Sequence, residues 1–443
     1  MPVKSLRSVY DIAILGAGIL GTTTAYWLSL LYPRLKIIVL EQADAPARHT
    51  SARNTGVIHR PFYLHPEKKK IFAHVAQLSY PSWKSYAAAK KLPWNPVGTI
   101  EVALNARDEE AIAQYAVWAK ENGMEPQEYE ILQQSDLSRI EPRIRGTLAF
   151  FSKTDTSVDF GLMTRSLAGH AAQQGVEFRY DTKIRILEET SSDIVITPAE
   201  GETLQARYLI NCAGGGSLYL AKYMGLGTTY ADINFRGEYW VVDPQATRLA
   251  THNIYTVPTH REFPFLDPHW IIRANGQCEV GPTAVPVLGA YAYRGIASDF
   301  KSGLRKLFEP PMTNKLNIFM NPEFLKLAWT EWRSTVSRKA MVDRIRMFLP
   351  DLEERHLIRP GIAGIRSSVI DEDGVFVKEA LEFYTYRSFH VVNYNSPGAT
   401  GAPAYAVHII SHLIHKDILP EPSQAIVSPL GNFSDIQRAL PKV

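Results

Sequence analysis

The 443-residue sequence has only two cysteines, Cys212 and Cys278, which excludes a disulfide framework as the source of its stability. Neither cysteine lies in a CxxC or another zinc-binding spacing, so a structural zinc site is excluded too. No run of 18 apolar residues exists, and residues 1–10 lack the apolar core of a secretory signal. We therefore expect a cytoplasmic protein of a reducing compartment that does not span a membrane.

Net charge is also small. Lys+Arg 48 against Asp+Glu 45 leaves a formal charge of +3, which is too balanced for a chain whose main partner is nucleic acid. With 45% apolar and 21% charged residues, the composition is globular, and disorder, collagen and coiled coil are excluded for the whole chain. The length fits a large α/β enzyme made of two intertwined domains.

A glycine-rich motif follows the first strand-like segment. After the apolar run IAIL, the residues GAGILG from Gly16 to Gly21 lead into the helix-forming stretch TTTAYWLSLL. A second apolar run, 35–40, ends at Glu41, 20 residues after Gly21. A carboxylate at this distance reaches the ribose of a dinucleotide, Gly18 admits the pyrophosphate, and Gly16 allows the tight turn. The motif therefore predicts a dinucleotide site at the start of a helix.

The order of segments predicts an α/β protein, α+β overall, with a Rossmann-type domain. A second βαβ-like passage begins at Val158 with the helix FGLMTRSLAGHAAQQ, the strand VEFRY and the run YLINCAGGG. Two β-rich blocks interrupt it and predict a substrate domain with a mixed β-sheet. We assign residues 1–95, 151–230 and 355–443 to a discontinuous cofactor domain, and residues 96–150 and 231–354 to the substrate domain.

A polar loop after the second strand favours a flavin over a nicotinamide. The segment ARHTSARNTGVIH carries Arg48, His49, Arg53 and Asn54 and ends at His59. Such a loop can run along a pyrophosphate and supply charge-assisted hydrogen bonds to it. A solvated loop of the same composition is the alternative.

A glycine-containing turn near the C-terminus points the same way. In NYNSPGATGAPAYAVHII, Gly398 and Gly401 precede a helix, and Pro397 bends the approach. A helix N-terminus aimed at the N1/C2=O edge of a flavin would stabilise the negative charge that appears there on reduction. The alternative is an ordinary capped terminal helix.

A hairpin in the middle of the chain carries candidate catalytic residues. Two strand-like runs, HWII and CEVG, flank a turn at 274–276. Period two puts His269, Ile271 and Arg273 on one face, where a base and a carboxylate clamp would lie side by side. The polar outer face of an ordinary hairpin would look the same.

Several short motifs occur in a fixed order along most of the chain. They are GAGILG with Glu41, RNTGVIH (53–59), VD (158–159), NCAG (211–214), FRGEYW (235–240), IYTVP (254–258), FPFL (263–266), HWIIRANG (269–276), VGPTAV (280–285), RPGIAGIRS (359–367) and NSPGAT (395–400). In this order and spacing the chain resembles the FAD-dependent L-2-hydroxyglutarate dehydrogenase/oxidase family, within the D-amino-acid-oxidase-like flavoprotein superfamily.

The resemblance implies an FAD-binding domain assembled from discontinuous segments and a mixed sheet over the isoalloxazine ring. The residues that it assigns to FAD are Gly16, Gly18, Ile19, Gly21, Glu41, Gln42, Arg53, Asn54, Gly56, Ala213, Gly214, Gly364, Arg366, Ser396, Pro397, Gly398, Ala399 and Thr400. It places His59, Tyr255, His269 and Arg273 near the substrate.

The chain departs from the family pattern where the substrate is expected. Residues 60–63 read Arg-Pro-Phe-Tyr in place of a small-residue, aromatic stretch, Thr256 replaces a proline, and NYNSPGAT replaces NAPSPAAT. The reaction class is therefore a firmer prediction than the substrate. Arg60 would suit a dianionic or larger acidic substrate, or it would pair internally.

The predicted reaction is oxidation of an L-2-hydroxy acid, first L-2-hydroxyglutarate, to the 2-oxo acid. An alcohol is too weak an acid to ionise unaided near pH 7, so we expect His59 or His269 as the base. Arg273, with Arg60 second, would hold the carboxylate, and Tyr255 would lie beside the substrate. The alternatives are an amino-acid or amine oxidase on the same fold and a flavin-binding protein without turnover.

A basic segment, 301–346, bears on where the electrons go: to a quinone, to oxygen or to another acceptor. It holds ten Lys or Arg residues against four acids, with aromatic residues between them and breaks at 310–311 and Pro322. Such a segment can lie on an anionic bilayer, which would place the protein on the inner face of a membrane. A helical cover for the substrate domain is the alternative.

Overall fold

The computed structural model of the chain describes residues 9–260, 267–293 and 309–441. The motif FPFL and the first part of the basic segment, 301–308, lie outside the described residues. The helices are α1 (Ile19–Leu31), α2 (Lys70–Lys90), α3 (Ala106–Glu121), α4 (Gln134–Ile140), α5 (Phe160–Gln173), α6 (Ser217–Tyr223), α7 (Met312–Phe319), α8 (Pro322–Val336), α9 (Arg338–Ile345), α10 (Gly398–His415) and α11 (Phe433–Ala439).

The strands alternate with these helices in an α/β order, as predicted. They are β1 (Val9–Leu15), β2 (Ile37–Leu40), β3 (Val57–Ile58), β4 (Trp94–Asn95), β5 (Thr99–Ala103), β6 (Tyr129–Gln133), β7 (Leu148–Ser152), β8 (Thr156–Val158), β9 (Glu177–Arg179), β10 (Ile184–Glu189), β11 (Ile194–Pro198), β12 (Leu204–Asn211), β13 (Ala231–Gly237), β14 (Trp240–Val242), β15 (Asn253–Thr256), β16 (His269–Ile272), β17 (Cys278–Gly281), β18 (Val285–Val287), β19 (Leu357–Pro360), β20 (Gly364–Ile370), β21 (Leu381–Tyr384), β22 (Ser388–Val392), β23 (Val427–Ser428) and β24 (Gly431–Asn432).

The first sheet carries the glycine motif. Its central order is β10-β11-β12-β1-β2-β9, and β12, β1, β2 and β9 run parallel. The carboxyl half of β12 pairs in parallel with β22, while its first residues pair with β11. The strand, glycine turn, helix and strand predicted at the N-terminus are therefore confirmed, as is the return of VEFRY and YLINC to the same sheet.

Helices α1, α2, α5 and α10 form one layer on this sheet. Helix α1 is apolar on nearly every side, and all but one of its residues are buried between the sheet and the neighbouring helices. Large side chains fill the layer, among them Trp27, Trp83, Tyr86, Tyr405 and Phe433. This packing fixes the direction in which α1 leaves the glycine turn.

The second sheet is mixed and has the order β19-β14-β17-β16-β15-β5-β7-β6. The predicted hairpin is confirmed, because His269 pairs with Gly281 and Ile272 with Cys278. Side chains of α9 and the following loop pack on one face of the sheet, around Trp270 and Phe348. Strand β19 belongs to this sheet, whereas the predicted boundary at residue 355 assigns it to the cofactor domain; the domain boundaries stay a prediction.

Two small sheets connect the large ones. Strands β3, β8 and β4 form one, and β18, β13 and β20 form the other. The sheet of β3, β8 and β4 begins directly after the polar loop. The sheet of β18, β13 and β20 brings Gly364 opposite Gly237. Both therefore bring segments of the two large sheets to one place.

The described part of the basic segment is helical, as predicted. Ile318, Phe324 and Leu327 of α7 and α8 are buried against β13 and β20 residues such as Phe235 and Ile370. These helices thus cover the small sheet that contains β13 and β20. Within the described ranges, no helix has the length and apolar character needed to cross a bilayer.

Candidate active site

A cavity of about 460 Å³ opens at the carboxyl ends of β1 and β12, where open parallel sheets bind their ligands. This volume lies in the range of small-molecule sites. The sequence-predicted residues that line it are Gly16, Gly18, Ile19, Glu41, Gln42, Arg53, Asn54, His59, Ala213, Gly214, Tyr255, Gly364, Arg366, Ser396, Pro397, Gly398, Ala399 and Thr400. Segments distant in sequence thus converge on one space.

The glycine turn after β1 is a cradle made of backbone. Gly16 has φ +100°, a left-handed conformation that favours glycine, and a Cβ on Gly21 would stand 2.0 Å from the Gly16 carbonyl oxygen. A Cβ on Gly18 would meet only the Ser51 hydroxyl, at 3.1 Å, and Gly18 lines the cavity. The turn therefore leaves room for a pyrophosphate beside Gly18, and its residues fit a bound dinucleotide.

Two predicted cofactor residues serve packing instead of lining the cavity. Gly21 lets α1 lie against the turn, as its Cβ position shows. A Cβ on Gly56 would stand 2.7 Å from the Val158 carbonyl oxygen, and Gly56 has φ +74°. Neither glycine is among the lining residues and both let backbone segments approach closely, so their contact with the cofactor stays a prediction.

Glu41 lies at the end of β2 and faces the glycine turn. Its carboxylate accepts hydrogen bonds from the backbone N–H groups of Ala17 at 2.8 Å and Ala43 at 2.9 Å. Burial raises the pKa of Glu41, and the backbone donors partly oppose that shift. The acid therefore lies where a dinucleotide ribose is expected, and its contact with the ribose stays a prediction.

The polar loop is only partly solvated. Arg48 forms an exposed ion pair with Asp44. Arg53, in contrast, donates to the Ala363 carbonyl at 3.3 Å and lies 4.4 Å from the centre of the Tyr293 ring. The Asn54 side chain accepts from the Gly56 N–H, which holds the loop in shape. The solvated-loop alternative thus describes Arg48 alone among these residues.

The first turn of α10 forms another part of the wall. Pro397 precedes it and gives no side-chain cap, and the Gly398 N–H donates to the Asn395 carbonyl at 2.6 Å. Thr400 Oγ1 accepts the backbone N–H of His59 at 3.2 Å. The predicted placement of this turn at the cofactor cavity is therefore supported, and its contact with the flavin ring edge stays a prediction.

His59 faces the cavity with one ring nitrogen engaged. Its Nδ1 lies 3.0 Å from Oδ2 of Asp155, a fully buried carboxylate. The described residues offer no hydrogen-bond partner to Nε2, and the ring lies edge-on to Tyr255 and Tyr63 at 5.7 and 6.0 Å. A neutral imidazole whose Nδ1 donates to Asp155 keeps its lone pair on Nε2, and the residue lines the cavity.

His269 has a different environment. It is fully buried, stacks on Tyr255 with ring centres 3.9 Å apart, and has Nδ1 3.1 Å from the Asp267 carbonyl oxygen. Burial lowers the pKa of His269 to about 3. Because it does not line the cavity and resists protonation, His269 is poorly suited to the role of base, and the geometry favours His59.

The two arginines predicted to hold a carboxylate are bound elsewhere. Arg273 pairs with Glu279 at 2.5 Å and donates to the Asn54 carbonyl. Arg60 is buried, pairs with Glu128 at 2.8 Å and lies over the Tyr80 ring. Neither arginine lines the cavity. A guanidinium removed from water requires an anionic partner nearby, and the two glutamates supply it. The geometry therefore favours the internal-pairing alternative for Arg60 and an internal partner for Arg273, and the clamp assignments stay predictions.

Sequence reasoning missed three features of the site. Asp155 went unnoticed, although it precedes the VD motif by three residues. Tyr239 lines the cavity and lies inside the motif FRGEYW, which gave it no role. Thr182 to Ile184 line the opposite end, where no motif marked them. Only Tyr239 carried a usable signal, its place in a motif of the resemblance.

Fold and cavity together define a flavoenzyme. The family model described as FAD dependent oxidoreductase, DAO, matches residues 11–411, and the chain belongs to this family. FAD is therefore its cofactor, and the protein is an oxidoreductase.

The chain is similar to characterised relatives over almost its whole length. It is 29% identical over 405 residues to L-2-hydroxyglutarate dehydrogenase of Escherichia coli (strain K12), covering 91% of this chain and 93% of that one. It is 30% identical over 424 residues to the mitochondrial L-2-hydroxyglutarate dehydrogenase of Homo sapiens, covering 90% and 87%. The resemblance found in the motifs is thereby confirmed.

Solved structures share the fold. The L-alpha-glycerophosphate oxidase of Mycoplasma pneumoniae with FAD bound has a TM-score of 0.71 at 20% identity, over 92% of this chain and 95% of that one. Glycine oxidase from Geobacillus kaustophilus has a TM-score of 0.68 at 17% identity, over 92% and 95%. At these identities the likeness concerns the fold.

Gly18→Val is expected to weaken FAD binding by at least about tenfold, because the new side chain enters the space beside the glycine turn. Titration of the apoprotein with FAD, followed by flavin fluorescence, measures the affinity. Gly169→Val is the matched control, since a Cβ there meets nothing within 4 Å and the residue lies on α5. Equal FAD affinity of the two variants would contradict the cradle assignment.

Proposed function

We propose that this enzyme oxidises an L-2-hydroxy acid to the 2-oxo acid, with L-2-hydroxyglutarate as the first candidate. The observation that carries the proposal is the His59 ring, which lines the cavity and is held at Nδ1 by Asp155. FAD bound in this cavity would supply the acceptor for the hydride from the substrate Cα. The hydroxyl proton needs a separate base, and we assign this role to His59.

The printed names of the relatives support the same substrate class. The bacterial and human relatives are both L-2-hydroxyglutarate dehydrogenases, and each matches about nine-tenths of this chain. An amino-acid or amine oxidase is the second candidate, because glycine oxidase is among the structures that share this fold. A neutral amine needs no strong base, so the arrangement at His59 favours the hydroxy acid.

We further propose Arg366 as the residue that holds the substrate carboxylate. It lines the cavity on β20, in a region shared with Tyr239, and was first assigned to the cofactor. Burial lowers the pKa of Arg366, and the nearby Tyr239 and Tyr63 oppose that shift. A guanidinium stays charged under such conditions and binds a carboxylate through two parallel hydrogen bonds. Arg366 is the better candidate because it lines the cavity, whereas Arg60 and Arg273 do not.

The reaction class is tested by anaerobic flavin bleaching with two matched compounds. L-2-hydroxyglutarate is expected to bleach the flavin, and L-glutamate, which has an amine in place of the hydroxyl, is not. The base is tested in the same assay. His59→Ala should slow reduction of the flavin by the hydroxy acid about a hundredfold or more with FAD retained, and His269→Ala should slow it much less. Bleaching by glutamate alone would favour the amine oxidase, and wild-type rates in both variants would refute a histidine base.

Arg366→Met is expected to raise the substrate Kd at least about tenfold, the scale for losing a charge-assisted hydrogen-bond pair. The Kd comes from the substrate dependence of flavin reduction, and FAD content is measured in the same samples. Arg359→Met, on the exposed strand β19, is the control and should change neither quantity. A loss of FAD with an unchanged substrate Kd would return Arg366 to the cofactor.

We also propose a peripheral contact with an anionic membrane, near a quinone acceptor; oxygen or another acceptor is the alternative. Leu325, Trp329, Trp332 and Val336 lie on the outer side of α8, and we call them the tryptophan face. Trp329 is 59% exposed and Trp332 38%, and their rings stack at 4.9 Å. The exposed Lys326 and Arg333 flank them. Tryptophan next to basic residues is typical of helices that lie at the bilayer interface.

Flotation with anionic liposomes tests this contact. The wild-type enzyme is expected to float at low salt and to be released at high salt, because lysine and arginine attraction to lipid is screened. Replacing both Trp329 and Trp332 by serine should abolish flotation. Tyr386→Ser removes an aromatic that is 80% exposed outside the tryptophan face and should leave flotation unchanged. If the wild-type enzyme does not bind the liposomes at low salt, the membrane contact is refuted, and α7 and α8 serve only to cover the sheet beneath them.

A further inference from the structure

A short antiparallel pairing brings a buried carboxylate beside the candidate base. In the β3–β8 ladder, Val57 lies opposite Ser157 and Ile58 opposite Thr156. The same register places Asp155, which precedes β8, next to His59, which follows β3. Their side chains meet at 3.0 Å, and that of Asp155 has no exposed surface.

The second oxygen of Asp155 is also occupied. Oδ1 accepts hydrogen bonds from the Ser152 hydroxyl at 2.6 Å and from the Arg60 backbone N–H at 2.9 Å. Both donors stabilise negative charge on the carboxylate. Because an ionised carboxylate only accepts hydrogen bonds, the hydrogen in its contact with His59 belongs to Nδ1, and the lone pair of the ring lies on Nε2.

We propose that Asp155 is a positioning residue for the oxidation. It fixes the tautomer and orientation of the His59 ring, and it stabilises the positive charge that the ring gains with the substrate proton. This inference rests on the proposed function and adds to it a residue that never touches the substrate.

The chemical step balances through these groups. The Cα–H bond breaks and its electron pair leaves with the hydrogen as hydride for the bound cofactor, which is reduced by two electrons. The O–H proton passes to His59 Nε2, and the electrons of the O–H bond complete the carbonyl. The imidazolium then faces the Asp155 carboxylate in a largely buried site, where the attraction exceeds that in water.

Asp155 is the charged group that contacts the His59 ring directly, while Glu101, Arg366 and Arg273 act on the tyrosines that flank it. Tyr63 and Tyr255 present their rings edge-on to His59. Burial raises the pKa of both tyrosines, so they stay neutral. His269 lies behind Tyr255, and burial keeps it neutral because its pKa falls to about 3.

A second histidine–carboxylate pair provides a matched control. Glu141 Oε1 lies 2.6 Å from His252 Nδ1, and the Glu141 side chain is nearly fully buried. Like Asp155, Glu141 accepts a backbone N–H, that of Thr251. This pair does not line the cavity. Glu141→Gln therefore removes a charge from the same kind of pair away from the reaction.

The first experiment measures flavin reduction by L-2-hydroxyglutarate across pH in the holoenzyme, by anaerobic stopped flow. In Asp155→Asn the limiting rate should fall about 10³-fold, because the amide can donate to Nδ1 and select the wrong tautomer. The substrate Kd should change less than about threefold. The acidic limb of the rate profile should move down by about 1 pH unit or more, since a lost negative neighbour makes the ring less basic.

Glu141→Gln should keep the wild-type rate and the wild-type acidic limb. An Asp155→Asn profile that matches that of Glu141→Gln would overturn the proposal. If the wild-type flavin is not reduced by any 2-hydroxy acid, the proposed function fails instead, and the next measurement still tests Asp155.

The second experiment needs neither turnover nor a variant of Asp155. ¹⁵N NMR of the histidine-labelled holoenzyme distinguishes a protonated Nδ1 from a protonated Nε2, and a His59→Gln sample assigns the signal. The Nδ1–H tautomer is expected near neutral pH. A protonated Nε2 on a neutral ring would overturn the proposal, even if Asp155→Asn fails to fold.

Discussion

The walls of the cavity depend on close approaches between backbone segments, where only glycine fits because a side chain would collide with a carbonyl oxygen. A Cβ at Gly364 would stand 1.9 Å from the Arg53 carbonyl oxygen, and one at Gly21 would stand 2.0 Å from that of Gly16. The wall can therefore be thin, rigid and rich in backbone donors where a cofactor must come close. Aromatic packing behind it, around Trp27 and Trp83, keeps these crossings from opening.

Buried charge is the second organising constraint. A guanidinium removed from water requires an anion nearby, and the two best candidates for a substrate clamp already have one. Arg273 also joins two regions, since it bonds Glu279 on β17 and the Asn54 carbonyl in the polar loop. Its charge holds the loop against the hairpin, so a residue that resembles a substrate contact in the sequence supports the architecture instead.

Much of this arrangement could be predicted from local sequence. The strand, glycine turn, helix and acid at the N-terminus, and the two strands around Gly276, follow from periodicity and spacing over fewer than 35 residues. The pairing of residue 59 with residue 155 could not be predicted, because it depends on a two-residue strand meeting another across nearly a hundred positions. The partner of Arg60 was hidden for the same reason, because Glu128 lies 68 residues away and an ion pair at that separation leaves no pattern in either segment. Glu279, in contrast, lies only six residues from Arg273, within the predicted hairpin.

The hydrogen bond from the Arg60 backbone to Asp155 determines which substitutions position 60 can accept during evolution. Arg60 serves the site through its backbone N–H, which donates to Asp155, while its side chain pairs with Glu128 on the far side. Every amino acid except proline supplies that same N–H. Position 60 can therefore diverge among related chains, with an effect on the burial of Glu128, while the hydrogen bond that braces the base is inherited unchanged.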